Sequence, residues 1–339
     1  MRKLLLTFAF ISSTFAYNAL YSQDENQKRF NLSFNARGDF DMTYDDKKET
    51  LQHGFVGQNL NMMFDGKIND KFSIKVRQRF NKPISDSLSR FFNATDIMTL
   101  TYNIDSKLSI VAGKQVVALG GFEYDLAPID LYFLSQFTNN FPSCYEFGVA
   151  LNYATEKDLF GFQFINSPFA VDRNGKDGIY AYNLSWYGNH DWFNSIYSFN
   201  IMEYRKGKFV NYITLGNQFN FNDFCFEFDF QNRTVADNIE LFKDFSIIGN
   251  LKYALNNHWN FFAKGGYDQN KSDVDQDVLF HEAYRVLPDT EYVFGGIGAE
   301  FFPLKEKKDI RIHAYTAITN EKSEKLLFNI GLTWRIKAI

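Results

Sequence analysis

Phe30-Asn31-Leu32-Ser33-Phe34-Asn35-Ala36-Arg37-Gly38-Asp39-Phe40-Asp41-Met42-Thr43-Tyr44 alternates without a break. The even positions from Phe30 to Tyr44 are apolar or small, and the odd positions from Asn31 to Thr43 are polar or charged. Only an extended strand, whose successive side chains point to opposite faces, separates them this way. The pattern returns at Phe72, Ile74 and Val76 against Ser73, Lys75, Arg77 and Arg79, with Gln78 and Phe80 continuing the first face. It returns again at Phe224, Phe226, Phe228 and Phe230 against Cys225, Glu227, Asp229 and Gln231. Near the end, Leu326, Phe328, Ile330, Leu332, Trp334 and Ile336 oppose Asn329, Thr333, Arg335 and Lys337. Strands of a soluble sandwich are about 5 to 6 residues long. The first stretch is nearly three times that, and tilted strands of about 9 to 11 residues cross a bilayer. The expected fold is therefore all-β, a transmembrane antiparallel up-and-down barrel with lipid outside and a polar lumen inside.

Composition agrees with this reading. The chain has 339 residues, of which 39 are Phe, 19 Tyr and 4 Trp, an aromatic share of 18% that exceeds what a water-soluble core needs. No run of about 18 or more apolar residues provides a transmembrane helix. A net charge of -4, with 36 basic and 40 acidic residues dispersed along the chain, leaves no nucleic-acid footprint. Met1-Arg2-Lys3, the apolar stretch Leu4 to Ile11 and the small and polar residues that follow have the order of a secretory signal. The expected organisation is a signal peptide at 1–22, cleaved between Ser22 and Gln23 (Ala16 and Tyr17 being the alternative), and one barrel domain at 23–339. Cys144 and Cys225 are too few for a disulfide framework, and their places in the pattern put them at opposite ends of the barrel, unbridged.

Sixteen segments repeat the pattern, from 29–44 and 55–65 through 160–165 and 193–201 to 326–337. Short turns such as Asp105-Ser106-Lys107, Asn222-Asp223 and Asn256-Asn257-His258 alternate with longer connections at 82–95, 117–144, 166–178, 232–244 and 269–290. Short turns belong to the periplasmic side and long loops to the outside. An even strand number places both chain ends in the periplasm.

Three stretches carry a family resemblance: Phe64-Asp65-Gly66-Lys67-Ile68-Asn69-Asp70-Lys71-Phe72, then residues 112–125 (AGKQVVALGGFEYD), then Ala127-Pro128-Ile129-Asp130-Leu131-Tyr132. They resemble the phosphate-selective porin O and P family, in its bacteroidete outer-membrane branch. The resemblance implies sixteen strands, a third outer loop folded into the pore, a homotrimer, and passage of small hydrophilic solutes or anions such as phosphate. Implied surroundings are outer-membrane lipid and lipopolysaccharide of a Gram-negative bacterium and the barrel-assembly machinery. No cofactor is implied. The last strand resembles the signal that this machinery reads, here Asn329, Gly331, Trp334 and Ile336, although Lys337-Ala338-Ile339 extend past its usual end.

Residues 117–144 are too apolar for an ordinary surface loop: Phe122, Leu126, Ile129, Phe133, Phe137 and Phe141 need a wall. Folding inward as a constriction loop supplies one; a cap over the mouth or a subunit contact is the other reading. The loop holds Glu123, Asp125 and Asp130 but no Lys or Arg, unlike a phosphate filter, which needs basic donors. Basic pore-lining candidates are Lys75, Arg77 and Arg79, spaced by about 6.6 Å on one face of a strand. Glu227 and Asp229 lie eight strands away and are expected on the facing wall, so the sequence predicts a transverse field. Equally, such charges can serve only to keep a lumen wet. Lys114 shares the parity of Leu108, Ile110 and Ala112 and is expected at the lipid face, snorkelling to the headgroups unless a bulge turns it inward.

Two rivals to a porin are a plugged structural or secretion barrel and an outer-membrane hydrolase. The hydrolase lacks Gly-x-Ser-x-Gly, and His53, His190, His258, His281 and His313 are scattered. The acidic run from Asp268 to Asp277 lacks the glycine and glutamate of a calcium loop, having Asp273 and Leu279 there, and is read as a solvated outer loop.

Overall fold

A computed structural model describes residues 29–81, 93–170, 177–235, 241–271, 290–304, 308–320 and 323–338. The leader expected at 1–22, most of the connections 82–95 and 269–290, and the acidic run beyond Lys271 lie outside them.

Sixteen antiparallel strands form one closed barrel in chain order, the first hydrogen-bonded to the last. They are β1 Phe30–Asp45, β2 Thr50–Lys67, β3 Phe72–Arg79, β4 Thr95–Asn103, β5 Leu108–Val116, β6 Tyr145–Ala154, β7 Asp158–Asn166 and β8 Tyr180–His190, followed by β9 Phe193–Arg205, β10 Lys208–Phe221, β11 Phe224–Val235, β12 Asp244–Ala254, β13 Trp259–Asn270, β14 Thr290–Phe301, β15 Ile310–Thr319 and β16 Lys325–Lys337. All sixteen expected segments are strands. β2 begins five residues before the expected 55 because Thr50–Gly57 pairs with β1 across a tight turn. β9 likewise runs past 201, to a two-residue turn at Lys206-Gly207, where Gly207 takes φ 74.

Alternation becomes two environments. On β16, Leu326, Phe328, Ile330 and Leu332 are exposed outward while Asn329 and Thr333 are buried inside. On β11, Phe224 and Phe226 are outward and Glu227 and Asp229 inside. Closure removes every sheet edge wherever neighbours run alongside, as a chain in lipid requires.

Four of the short turns share one local device. Asn69 accepts the N–H of Lys71 and Phe72, Asp105 that of Lys107 and Leu108, Thr155 that of Lys157 and Asp158, and Asn256 that of His258 and Trp259. A short polar side chain thus stands in for a strand partner where the ladder ends. The N–H groups of Lys107 and then Leu108 hold the Asp105 carboxyl below the ordinary aspartate range. Asn222 makes its turn with φ 51, a conformation asparagine tolerates.

One expectation is corrected. Lys114 is not open to lipid: it is buried, as is its neighbour Gln115. Gly113 beside it has φ 123, while the pairing with β4 and β6 runs on without a shift and Val116 is again exposed, so the departure is confined to Lys114.

Candidate functional site in the barrel lumen

The connection from β5 to β6 folds into the barrel. It contains a helical turn Phe122–Asp125 (α1), a 3-10 turn Pro128–Asp130 and a second helical turn Gln136–Asn139 (α2). Its apolar residues find their wall on the inner faces of β7 to β10. Val117, Leu119, Phe137 and Phe141 are buried with Ile165, Ala181, Met202, Val210 and Tyr212. The first limb is also stitched by polar contacts. Ala118 N–H donates to Gln163 Oε1 (3.0 Å), Asn200 Nδ2 donates to the Ala118 carbonyl (2.7 Å), and Ser198 Oγ donates to the Leu119 carbonyl. Gly120 and Gly121 turn the chain here with φ 79 and 84; a Cβ on Gly120 would stand 2.8 Å from Ser198 Oγ.

Across the lumen the loop meets the opposite wall. Phe122 and Glu123 N–H donate to the two carboxylate oxygens of Asp229 on β11, at 2.9 and 2.8 Å. The Glu123 carboxylate pairs with Lys264 of β13 at 2.6 Å and accepts the Ser135 N–H at 3.0 Å; both side chains are buried. Gln136 N–H donates to Asp268 at 3.0 Å. Asp130 lies between Arg311 of β15 (3.0 Å) and Arg335 of β16 (2.6 Å), while Arg37 of β1 donates to the Ile129 and Leu131 carbonyls. Tyr132 stacks on Phe262 (5.0 Å), donates to Glu300 (2.6 Å) and has the Arg37 and Arg311 guanidinium groups over its ring at 5.0 and 5.5 Å. The loop is therefore a strap fastened at both walls. Above its far limb lies an outer cup of about 450 Å³, lined by Tyr132, Phe133, Gln136, Asn139, Thr43 and Lys325 among others.

The expected basic residues line the inner face of β3 with acidic neighbours. Lys75 Nζ is 4.0 Å from Asp65; Arg77 and Arg79 share Asp96, at 3.3 and 2.7 Å. Arg77 also lies over the Tyr145 ring at 4.8 Å. A bulge between Arg77 and Gln78 buries Gln78 on the parity assigned to lipid, where it accepts from Thr95 Oγ1 at 2.6 Å. Of the expected acidic wall, Glu227 is bound by Lys252 (2.7 Å), Asn250 (2.7 Å) and Gln218 (2.9 Å), and Asp229 is taken by the loop. Asp125 differs from its two loop companions. Its side chain makes no ion pair or hydrogen bond among the described residues, and Lys75 is the cation within its electrostatic reach. Burial on the loop pushes the Asp125 carboxyl up to about 7, against the pull of Lys75.

Sequence reasoning did not single out Arg37, Lys264, Glu300, Arg311 and Arg335, the wall residues that hold the strap. Their only signal is a place on the polar parity of a strand. At the barrel seam, Asn329 Nδ2 donates to Asp39 Oδ2 (3.0 Å) and to Asp41. Asp39 pairs with Arg37 (2.6 Å), Gly331 leaves room for Asp39 and His313, and Trp334 and Ile336 are exposed outward.

Residues 30–190 match the family described as phosphate-selective porin O and P. No curated protein matches the chain. Among solved structures, the fold is similar to an anion-selective porin from Comamonas acidovorans, 9% identical, covering 91% of this chain and 99% of that one, with TM-score 0.65. It is similar to a trimer form of OmpT, an outer membrane protein of Vibrio cholerae, 11% identical over 91% and 100%, with TM-score 0.61. A triple mutant of the Rhodopseudomonas blastica porin is 11% identical over 90% and 100%, with TM-score 0.53. At these identities the likeness is one of fold.

Proposed function

We propose, for a chain whose first eight strands carry the phosphate-selective porin O and P match, an outer-membrane porin that passes small hydrophilic solutes by diffusion. The observation that carries this is the strap: a loop fixed across the lumen that leaves the Asp125 carboxylate toward Lys75 on β3, a lysine that also lies 4.0 Å from Asp65 on β2. Permeation runs between the strap and the β2–β3 wall, because the far side is filled by Tyr132, Phe262, His313 and Tyr315 ring contacts. A carboxylate beside a lysine orients dipolar solutes and gives modest ion selectivity. That suits a general diffusion pore better than a dedicated phosphate filter, since the strap has no Lys or Arg and the Arg77–Arg79 pair is partly neutralised by Asp96.

The same reading takes 1–22 as a cleaved leader and the chain as a non-enzymatic channel and homotrimer, inserted among outer-membrane lipid and lipopolysaccharide by the barrel-assembly machinery. Asn329, Gly331, Trp334 and Ile336 are its assembly signal. Planar-bilayer recording tests the function. Discrete open steps and a reversal potential near zero in a KCl gradient are expected; a plugged barrel gives no stable open steps.

A further inference from the structure

The far limb of the strap ends at the seam of the barrel. Every other pair of neighbouring strands is consecutive in the chain, but β1 and β16 come from its opposite ends and pair from Ser33 opposite Lys337 to Asp45 opposite Lys325. The entropy lost in joining two segments grows with the length of chain between them, so this is the most costly pairing in the sheet.

The seam also gathers like charge. Arg37 on β1 and Arg311 on β15 both stand opposite Thr333 of β16, so they lie in one row, two strand spacings or about 10 Å apart along the sheet. Arg335 lies two residues along β16 on the same lumenal face, opposite Asn35. Acids on the wall hold two of these three cations: Asp39 is 2.6 Å from Arg37, and Glu300 is 3.1 Å from Arg311. The Arg335 side chain pairs, among the described residues, with Asp130 alone, donating to its two carboxylate oxygens at 2.6 and 2.7 Å.

The strap brings what the seam lacks. Over three consecutive residues it offers the Ile129 carbonyl, the Asp130 carboxylate and the Leu131 carbonyl. Arg37 donates to both carbonyls, and Arg311 to the Ile129 carbonyl (3.2 Å) and to Asp130 (3.0 Å). Ile129, Arg37 and Arg311 are buried, where such contacts are stronger than in water. A segment from between β5 and β6 thus joins β1, β15 and β16 from inside. Its other limb is packed through Leu119, Phe137 and Phe141 on the wall from β7 to β10, so the strap links the middle of the chain to both its ends.

We infer a second function for the strap, separate from shaping the pore: residues 129–131 are the clasp on which β1 and β16 close. Asp130 neutralises the arginines that closure brings together, and the seam forms around a seated strap. This function belongs to assembly and stands apart from what the pore passes.

Disulfide trapping during refolding of the full chain from urea into detergent micelles tests it, in a parent with Cys144→Ser and Cys225→Ser. One reporter pair, Met42→Cys with Phe328→Cys, spans the seam; the other, Phe199→Cys with Ile213→Cys, spans β9 and β10. Directly opposed Cα atoms in antiparallel strands lie about 4.5 to 5.5 Å apart, within reach of a disulfide. Asp130→Asn should slow the seam cross-link by about tenfold or more, since Arg335 and Arg311 are left without its charge, and leave the β9–β10 cross-link at the parent rate. A seam cross-link at the parent rate overturns the inference. So does equal slowing of both pairs, which would mark a general loss of stability. Adding Arg335→Gln removes the cation that Asp130 neutralises, and should restore much of the seam rate. If Asp130→Asn traps neither pair, this double variant decides: recovery of both pairs is expected, and failure of the seam pair to recover overturns the inference.

Discussion

Lys264 on β13 places its Nζ 2.6 Å from Oε1 of Glu123, on a loop that enters the barrel from β5, on the opposite wall. Both side chains are nearly inaccessible, and the same Nζ donates to the Phe133 carbonyl at 2.6 Å. One lysine thus ties α1 and the return limb of the strap together. Breaking a buried pair by deleting one partner costs about 3 to 5 kcal/mol, because the other charge is left uncompensated. Lys264→Met should lower the thermal midpoint of the folded barrel and make the open channel noisier and larger. Adding Glu123→Gln should recover much of the midpoint. If Lys264→Met leaves both midpoint and conductance unchanged, the strap is not held by this pair.

The three basic residues of β3 should contribute unequally to selectivity. Arg77 and Arg79 share Asp96, whereas Lys75 faces Asp125 as well as a looser Asp65. Lys75→Gln should shift the reversal potential in a KCl gradient toward cation preference, most at low salt, where screening beyond about 10 Å is weaker. Arg77→Gln or Arg79→Gln should shift it less. Equal shifts from all three would mean that Asp96 does not neutralise its neighbours.

Alternation made the barrel legible, since a period of two with Phe on one parity states both the strand and its solvent. The inward loop was legible for a related reason: Phe122, Ile129 and Phe137 cannot be left in water. Parity places a residue in the lumen but says nothing of what stands opposite it, so Arg37, Arg311 and Arg335 were indistinguishable from solvated wall charges. Asp229 was expected to line the pore on the wall facing Lys75, Arg77 and Arg79. It is instead engaged by the N–H groups of Phe122 and Glu123, and main-chain donors carry no sequence signature. Lys114 is buried although its pairing with β4 and β6 is regular, so parity alone does not report its exposure.

Gly331 separates two roles of the last strand. A Cβ there would stand 2.1 Å from Asp39 Oδ1 and 2.6 Å from His313 Nε2, inside the network that closes β16 on β1. Gly331→Val should therefore reduce folding into detergent micelles, measured by heat-modifiable gel migration, where no assembly machinery is present. Trp334 and Ile336 point outward and touch no such network. Changing both to Ser should impair insertion in cells more than folding in micelles. Normal micelle folding of Gly331→Val would place its role in signalling alone.

Asp125 should make the pore sensitive to pH. Desolvation pushes its carboxyl up to about 7, with Lys75 opposing. A raised carboxyl is neutral below that pH and anionic above it. On the alkaline side the strap then presents a negative charge to the conduction path and favours cations; on the acid side Lys75 and its neighbours act alone and preference moves toward anions. An ordinary aspartate, titrating near 3.9, would show no change in this range. The reversal potential in a low-salt KCl gradient should therefore move toward anion preference as pH is lowered from about 8 to about 5.5. The Asp125→Asn channel should hold the acid-side value throughout. The Lys75→Gln channel should keep the pH response and shift it to higher pH, because the opposing cation is gone. A wild-type reversal potential that stays flat over this range would remove Asp125 from the permeation path and return the constriction to another part of the strap.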